Sequence, residues 1–444
     1  MKIFKRIVLV VIVLLVVAIS FNYPKLNIIS GYAAKNMASS VFIAHRSPNS
    51  VNENDNNVPL IKLAKTEVDS GHKTASSAVF GFMERKAVYR EGLGSVLIND
   101  TYDHNNIPLR PNREMVKNQL PFPYGNHGKK DTIFSNVDYQ QLAKAVNNAF
   151  LEPDIKKTRS VLVSYKNEII AEQYAEGFGP NTPILGWSMT KSVLATLYGI
   201  LEYQGKLAVD DRVPIAAWKK DGRKNIAINH LLRMQSGLEW EEDYTRISDV
   251  TKMFFMESDM TQSQVSKKAI GKPEEIWNYS SGTSNLLSGL LQNYLEDKQA
   301  YLNFPYQSLI DKIGMHSMII ETDMANNFVG SSYAWANTRD WAKFGILYLN
   351  KGHWNGQQLF SEDWVQYITT PTSGSEGIYG AHFWLNAGGI YPDVPRDLFS
   401  ANGYEGQYVF VIPSKNLVVV RTGLAEDPIF NVNEFLSEII GAIR

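Results

Sequence analysis

Two pairs of β-branched stretches, far apart in the chain, constrain its fold more than any other feature. SVLVSY (160–165) and EIIAEQY (168–174) flank Lys166-Asn167, while QYVFVIP (407–413) and LVVVRTG (417–423) flank Ser414-Lys415-Asn416. Short apolar runs separated by turn residues predict two hairpins. Between them, from Trp187 to about Leu349, the apolar spacing is helical. A helix with an aspartate cap is expected over DYQQLAKAVNNAFL (138–151), and a closing amphipathic helix over NEFLSEIIGAIR (433–444). Hairpins at both ends of this region imply one antiparallel sheet flanked by terminal helices, with a mostly helical lobe inserted. The expected class is α/β (α+β), with a small-molecule site in the cleft between sheet and lobe.

The N-terminus has a different pattern. Lys2, Lys5 and Arg6 precede an uninterrupted apolar run from Ile7 to Phe21. As a helix it would be about 22 Å long, short of a ~30 Å hydrocarbon core but within reach of an export signal or an uncleaved anchor. Basic residues on the N-terminal side direct everything after the run outward. Ala18-Ile19-Ser20 offers a small-x-small cleavage site, but inside the run, so a retained N-terminal membrane helix is the expectation. The chain then divides into a signal-anchor or signal peptide (1–27), an extension of unread role (28–135) and a regular domain (136–444). The extension is rich in Pro, Asn and Gly, with short strands expected between Ser76 and Ile98.

Composition excludes several kinds of chemistry. The chain has no cysteine, which removes thiol catalysis, disulfides and cysteine zinc sites. A net charge of -1, with no basic stripe beyond the N-terminus, argues against nucleic acid as a partner. No H-E-x-x-H or comparable histidine pair occurs, so neither a metal nor another cofactor is expected.

GWSMTKSV (186–193) places Ser188 and Lys191 three positions apart where an apolar helix begins. Residues i and i+3 share a helix face, so the lysine lies one turn below the hydroxyl. A lysine buried there loses solvation and becomes a base for a serine nucleophile, and the helix N-terminus presents N–H groups to an oxyanion. The competing reading is a serine cap with a snorkelling lysine. A second S-x-x-K, Ser70 to Lys73, lies in the extension with no chemical context. Tyr279 and Ser281, in WNYSSGTSNLL (277–287), stand at a turn into another helix, where a tyrosine hydroxyl could relay a proton. In SANGYEGQYVFVIP (400–413), Gly406 would let a substrate backbone lie close, and the Gln407 N–H would join that of Ser188 as an oxyanion donor. Trp187, Tyr244 and Tyr404 are candidate pocket aromatics.

Taken in order, these stretches resemble the serine hydrolases of the β-lactamase and penicillin-binding-protein superfamily. The resemblance is to the class C-related branch of esterases and 6-aminohexanoate-dimer hydrolases, and it covers about residues 137–444. Ser188-Met-Thr-Lys191 is similar to its S-x-x-K motif, and Tyr279-Ser-Ser281 to Y-x-N with Ser for Asn. Tyr404-Glu-Gly406 stands where K-T-G or H-x-G is carried. The resemblance implies a β-lactamase/transpeptidase-like fold, an acyl-enzyme on Ser188 with Lys191 as base and Tyr279 as relay, and a small-molecule or short-peptide substrate. The alternatives it implies are a β-lactamase or D-alanyl peptidase acting on cell-wall substrates, or a penicillin-binding sensor without turnover. An enzyme anchored in the inner membrane and facing the periplasm or the cell exterior is the expected setting.

Overall fold

The computed structural model describes the chain except Met1, Lys117, Asn118, Asn126 and His127, and except the side chains of Lys2, Ile3, Leu15, Ala18, Ile19, Phe21 and Asn22. It divides into two compact units. One comprises Met1–Asn106, Glu241–Asp259 and Asp323–Ala325; the other comprises Ile107–Trp240, Met260–Thr322 and Asn326–Arg444.

The first unit is a single long helix laid on a small sheet. Helix α1 (Lys2–Phe42) runs through Pro24 without ending near Phe21, so the extension begins as a continuation of the apolar helix. It continues because GYAAKNMASSVF supplies small side chains that bury against a sheet: Ala33, Ala34, Met37 and Ala38 are fully buried. The sheet is an antiparallel meander of β1 (Ala64–Asp69), β2 (Thr74–Val79), β3 (Phe82–Arg90) and β4 (Gly94–Ile98). A Cβ at Gly31 would stand 3.0 Å from Leu97 of β4 and 3.3 Å from Phe255 of the helix Asp249–Met256. The backbones therefore approach as closely as glycine allows. That helix comes from the region read as the regular domain, so the 136–444 boundary does not describe how this unit is built. Lys73 and Ser70 of the second S-x-x-K lie in the β1–β2 turn, where Lys73 stands over the Tyr89 ring.

The predicted membrane run lies in α1, and its Leu15, Ala18, Ile19 and Phe21 side chains, with most of the candidate cleavage site, are outside the described residues. Among the described residues no helix is long and apolar enough to cross a membrane. The described side chains of the run, Ile7, Leu9, Leu14 and Val17 among them, are exposed.

The second unit has the predicted layering. Helix α2 (Tyr139–Asn148) is capped by Asp138, whose carboxylate accepts from Gln140 and Gln141 N–H. Strands β5 (Thr158–Tyr165) and β6 (Glu168–Tyr174) turn at Lys166 and Asn167, whose φ values of 50° and 66° suit a tight hairpin. The nucleophile helix α3 (Met189–Tyr203) is followed by α4 (Ser281–Leu290), α5 (Thr338–Leu349), β7 (Trp384–Leu385), β8 (Phe399–Gly403), β9 (Gln407–Ile412), β10 (Leu417–Gly423) and α6 (Val432–Gly441). Early and late strands form one antiparallel sheet in the order β7-β8-β9-β10-β5-β6. On one face, α2 and α6 close a core through Leu142, Val146, Phe410, Val419, Leu436 and Ile439. On the other, α5 approaches so closely that a Cβ at Gly345 would stand 2.6 Å from Val418 and 2.8 Å from Val409. Helix α3 lies on that second face, against β8 and β9.

Candidate active site

Ser188 is placed by a strained turn. Trp187, immediately before it, has a φ of 46°, a left-handed conformation that a bulky residue adopts only where its surroundings enforce it. Two elements do so. The strand Ile184–Leu185 pairs with Ala334–Ala336, and Gly186 N–H donates to the Ala334 carbonyl at 2.8 Å. Thr190 Oγ1 then donates to the Trp187 carbonyl at 2.7 Å and accepts from Ala334 N–H at 3.0 Å. Ser188 is the first residue before α3, and its side chain makes no capping bond. The serine-cap reading therefore fails, and the hydroxyl is directed to the lysine.

Lys191 is 1% exposed, so it does not snorkel. Its Nζ lies 3.0 Å from Ser188 Oγ, 3.0 Å from Ser281 Oγ and 2.9 Å from the Ser331 carbonyl. A carbonyl only accepts, so one N–H is committed to Ser331. As a free amine, Nζ has two N–H groups and one lone pair. As an ammonium it has three donors, one for each of these oxygens, so the three contacts hold Nζ against Ser188 in either form. Ser331 is held by its own N–H, which donates to Asn285 Oδ1 of α4 at 3.0 Å. Sequence reasoning missed Ser331 because a backbone carbonyl leaves no mark on residue type. The only signal was its place in the SSYAWANTRDW stretch.

Tyr279 is half-buried just before α4, whose cap is Ser280. Lys191 Nζ lies 4.9 Å from the centre of the Tyr279 ring, which also packs against Tyr379 at 5.8 Å and Trp384 at 5.5 Å. Ser281, in the first turn of α4, is fully buried. Ser188, Lys191, Tyr279 and Ser281 are thus brought together.

The third motif is arranged differently from the sequence expectation. Gly403, at the end of β8, is the residue that meets the nucleophile turn: a Cβ there would collide with the Gly186 carbonyl. The next residue, Tyr404, packs its ring edge-on to Trp187 at 5.7 Å, and Trp187 in turn lies 6.2 Å from Tyr333. Burial, reinforced by Glu405 and Glu426, pushes the Tyr404 phenol up to about 12, so it is a neutral group at ordinary pH. Gly406 has a φ of 80°, and a Cβ on it would collide with the Ala425 carbonyl. A turn and a close intramolecular approach account for this glycine. The buried side chain of Gln407 donates to the carbonyls of Tyr404 at 3.2 Å and Gly423 at 2.6 Å, tying the turn to β10. Tyr244 belongs to the other unit, where its exposed hydroxyl donates to Glu242 at 2.8 Å.

One buried group went unread. His382 is 1% exposed, and its Nδ1 donates to the Leu232 carbonyl at 2.6 Å. That bond fixes the tautomer, leaving Nε2 to accept from Ser284 Oγ at 2.9 Å. Ser284 follows Ser281 by one turn of α4, and Ser192 of α3 donates to the His382 carbonyl at 2.7 Å. Burial lowers the imidazole to about 3 against the pull of the Leu232 carbonyl, so it stays neutral. His382 therefore fastens together the two helices that carry Lys191 and Ser281. Among the described residues no cluster of metal-ligating side chains occurs.

Comparison with known proteins gives the family. Residues 152–423 match the Beta-lactamase family, well over half of the chain. A 6-aminohexanoate-dimer hydrolase of Paenarthrobacter ureafaciens is 22% identical over 303 residues, spanning 61% of this chain and 74% of that protein. A penicillin-binding protein homologue from Caulobacter crescentus superposes with a TM-score of 0.56 at 14% identity, covering 70% of this chain and 99% of its own. A family VIII carboxylesterase gives 0.55 at 16% identity, covering 71% and 98%. The chain is a serine hydrolase and belongs to the β-lactamase family.

Proposed function

We propose that the protein cleaves amide or ester bonds through an acyl-enzyme on Ser188. The observation that carries this reading is the buried Lys191 Nζ, 3.0 Å from Ser188 Oγ and held by Ser281 and the Ser331 carbonyl. In the free-amine form Lys191 takes the Ser188 proton as Oγ attacks the carbonyl. Tyr279, packed beside Nζ, returns a proton to the leaving group. The negative oxygen is met by the N–H of Ser188 and by a second N–H from the Gly403–Gln407 turn. The sequence assigned that role to Gln407; the contact of Gly403 with the Gly186 carbonyl favours Tyr404, the residue that follows it. Water then attacks the acyl-enzyme along the same proton path in reverse.

The pocket chemistry supports neutral or cationic substrates. The Trp187 ring packs with Tyr333 and Tyr404, and the Tyr279 ring with Tyr379 and Trp384, so the surroundings of Ser188 and Lys191 are largely aromatic. The only charge in the third motif is Glu405, and Tyr404 offers a neutral hydrogen bond where a β-lactam carboxylate needs a charge-assisted one. Losing such a contact lowers affinity by roughly ten- to a hundredfold. The 6-aminohexanoate dimer named for the Paenarthrobacter ureafaciens relative suits this reading better than a penicillin does. The purified full chain in detergent is expected to turn over a short-chain nitrophenyl ester faster than nitrocefin at equal concentration. Efficient nitrocefin turnover without esterase or amidase activity contradicts this pocket assignment.

The setting follows from the N-terminal pattern. Lys2, Lys5 and Arg6 before an apolar run favour export, with the run retained in the inner membrane and the hydrolase unit outside the cytoplasm.

A further inference from the structure

The β2–β3 turn of the first unit carries residues that folding does not explain. Phe80 and Gly81 both have left-handed backbone, at φ 52° and 79°, in a two-residue hairpin turn between Val79 and Phe82. Such turns favour Asn-Gly, because a bulky side chain is strained at the first position. Phe80 is nevertheless 78% exposed and Phe82 60% exposed, so neither ring repays that strain by burial. Beside them, where Ala64 pairs with Val79, the chain enters β1 through Leu60 and Leu63, also exposed. Four large apolar side chains therefore project from one end of the sheet.

That end is the one from which the apolar helix emerges. Strand β3 runs alongside α1 in the same sense: Arg85 donates to Asn27 Oδ1, and Tyr89 packs its ring on Phe42 at 5.9 Å. Phe82 lies three residues before Arg85, about 10 Å along the strand. On a helix rising 1.5 Å per residue this is about six or seven residues before Asn27. The aromatic tip is thus level with the last turn of the Ile7–Phe21 run; Tyr23 and Lys25 follow within about 7 Å along α1, and these two residues and Lys62, next to Leu63 in sequence, are all exposed. Aromatic rings with adjacent lysines are the residues that settle at a bilayer's headgroup boundary.

We propose that Phe80, Phe82, Leu60 and Leu63 form a second membrane contact that inserts into the interface of an anionic bilayer where α1 enters it. The inference rests on the membrane reading of the Ile7–Phe21 run and assigns a role to the extension: it seats the first unit against the lipid surface. The only rigid connection this requires is α1 itself, which is one helix from the apolar run into the sheet contact.

The absence of cysteine makes the test specific. Phe80→Cys and, at the opposite end of the sheet, Ser70→Cys are each labelled with an environment-sensitive nitrobenzoxadiazole dye in the full chain. The proteins are mixed with phosphatidylglycerol–phosphatidylethanolamine vesicles. The label at 80 is expected to shift to the blue, brighten severalfold and be quenched by brominated lipid, while the label at 70 does not change. Co-flotation with vesicles while the label at 80 still reports water overturns the inference and leaves the anchor reading standing. No co-flotation overturns both. A shift at 80 that depends on protein concentration, without vesicles, also overturns it and assigns the tip to a second copy of the chain.

Discussion

Lys191 reaches Ser188 with its amine held by Ser281 and the Ser331 carbonyl and with the Tyr279 ring beside it. Lys191→Ala and Tyr279→Phe are each expected to lower kcat/KM by about 10²–10⁴, the range of a positioned proton-transfer group. Ester hydrolysis followed at saturating and limiting substrate measures the loss, and wild-type rates in either variant remove that residue from the mechanism. His382 acts at one remove and has its own signature. In the folded chain it titrates at about 3 against an ordinary 6.5. Below pH 6.5 the unfolded chain therefore binds a proton that the folded chain refuses. Stability is full above about pH 6.5 and falls as the pH drops toward 3, by up to about 1.4 kcal/mol per unit. Denaturant midpoints measured between pH 7.5 and 4.5 should show that slope, and His382→Gln should flatten it. An unchanged slope in the variant assigns the effect to other groups.

Among the elements, the nucleophile helix was the most legible in the sequence. Ser188 and Lys191 fall on one face by spacing alone, and the apolar residues around α3 announced its burial. The hairpin turns were equally readable, because Lys166-Asn167 and Ser414-Lys415-Asn416 interrupt β-branched runs. What the sequence could not convey was contact between backbones. The Ser331 carbonyl on Lys191 and the seat of Gly403 on the Gly186 carbonyl depend on how the strand Ala334–Ala336 and β8 meet the Gly186 turn. Glycines looked alike in the sequence, so Gly406 drew the attention that Gly403 warranted. Gly403→Ala should therefore do more harm to catalysis than its size suggests, pushing β8 from the turn that holds Ser188. A large loss of ester hydrolysis with retained far-UV circular dichroism is expected. Full activity in Gly403→Ala would separate β8 from the oxyanion site.

At the scale of the molecule, the core of the antiparallel sheet was predictable, since the two hairpins supply β5, β6, β9 and β10; the strands β7 and β8 beside them were not read. The first unit was not predictable. Its helix is apolar for one half and rich in Ala, Ser and Gly for the other, and the second half carries too weak a pattern to be read as a continuation past Pro24. Its partner helix, Asp249–Met256, arrives from far along the chain, which local spacing cannot reveal. Export remains a proposal at this scale: a reporter fused after the C-terminal Arg444 should be active outside the cytoplasm, and activity only inside contradicts it. The central claim is the acyl-enzyme on Ser188, and intact-protein mass spectrometry after treatment with a fluorophosphonate tests it most directly. A single adduct that maps to Ser188, disappears in Ser188→Ala and persists in Ser70→Ala is the expected result. An adduct on any other serine, or unimpaired ester hydrolysis by Ser188→Ala, would contradict it.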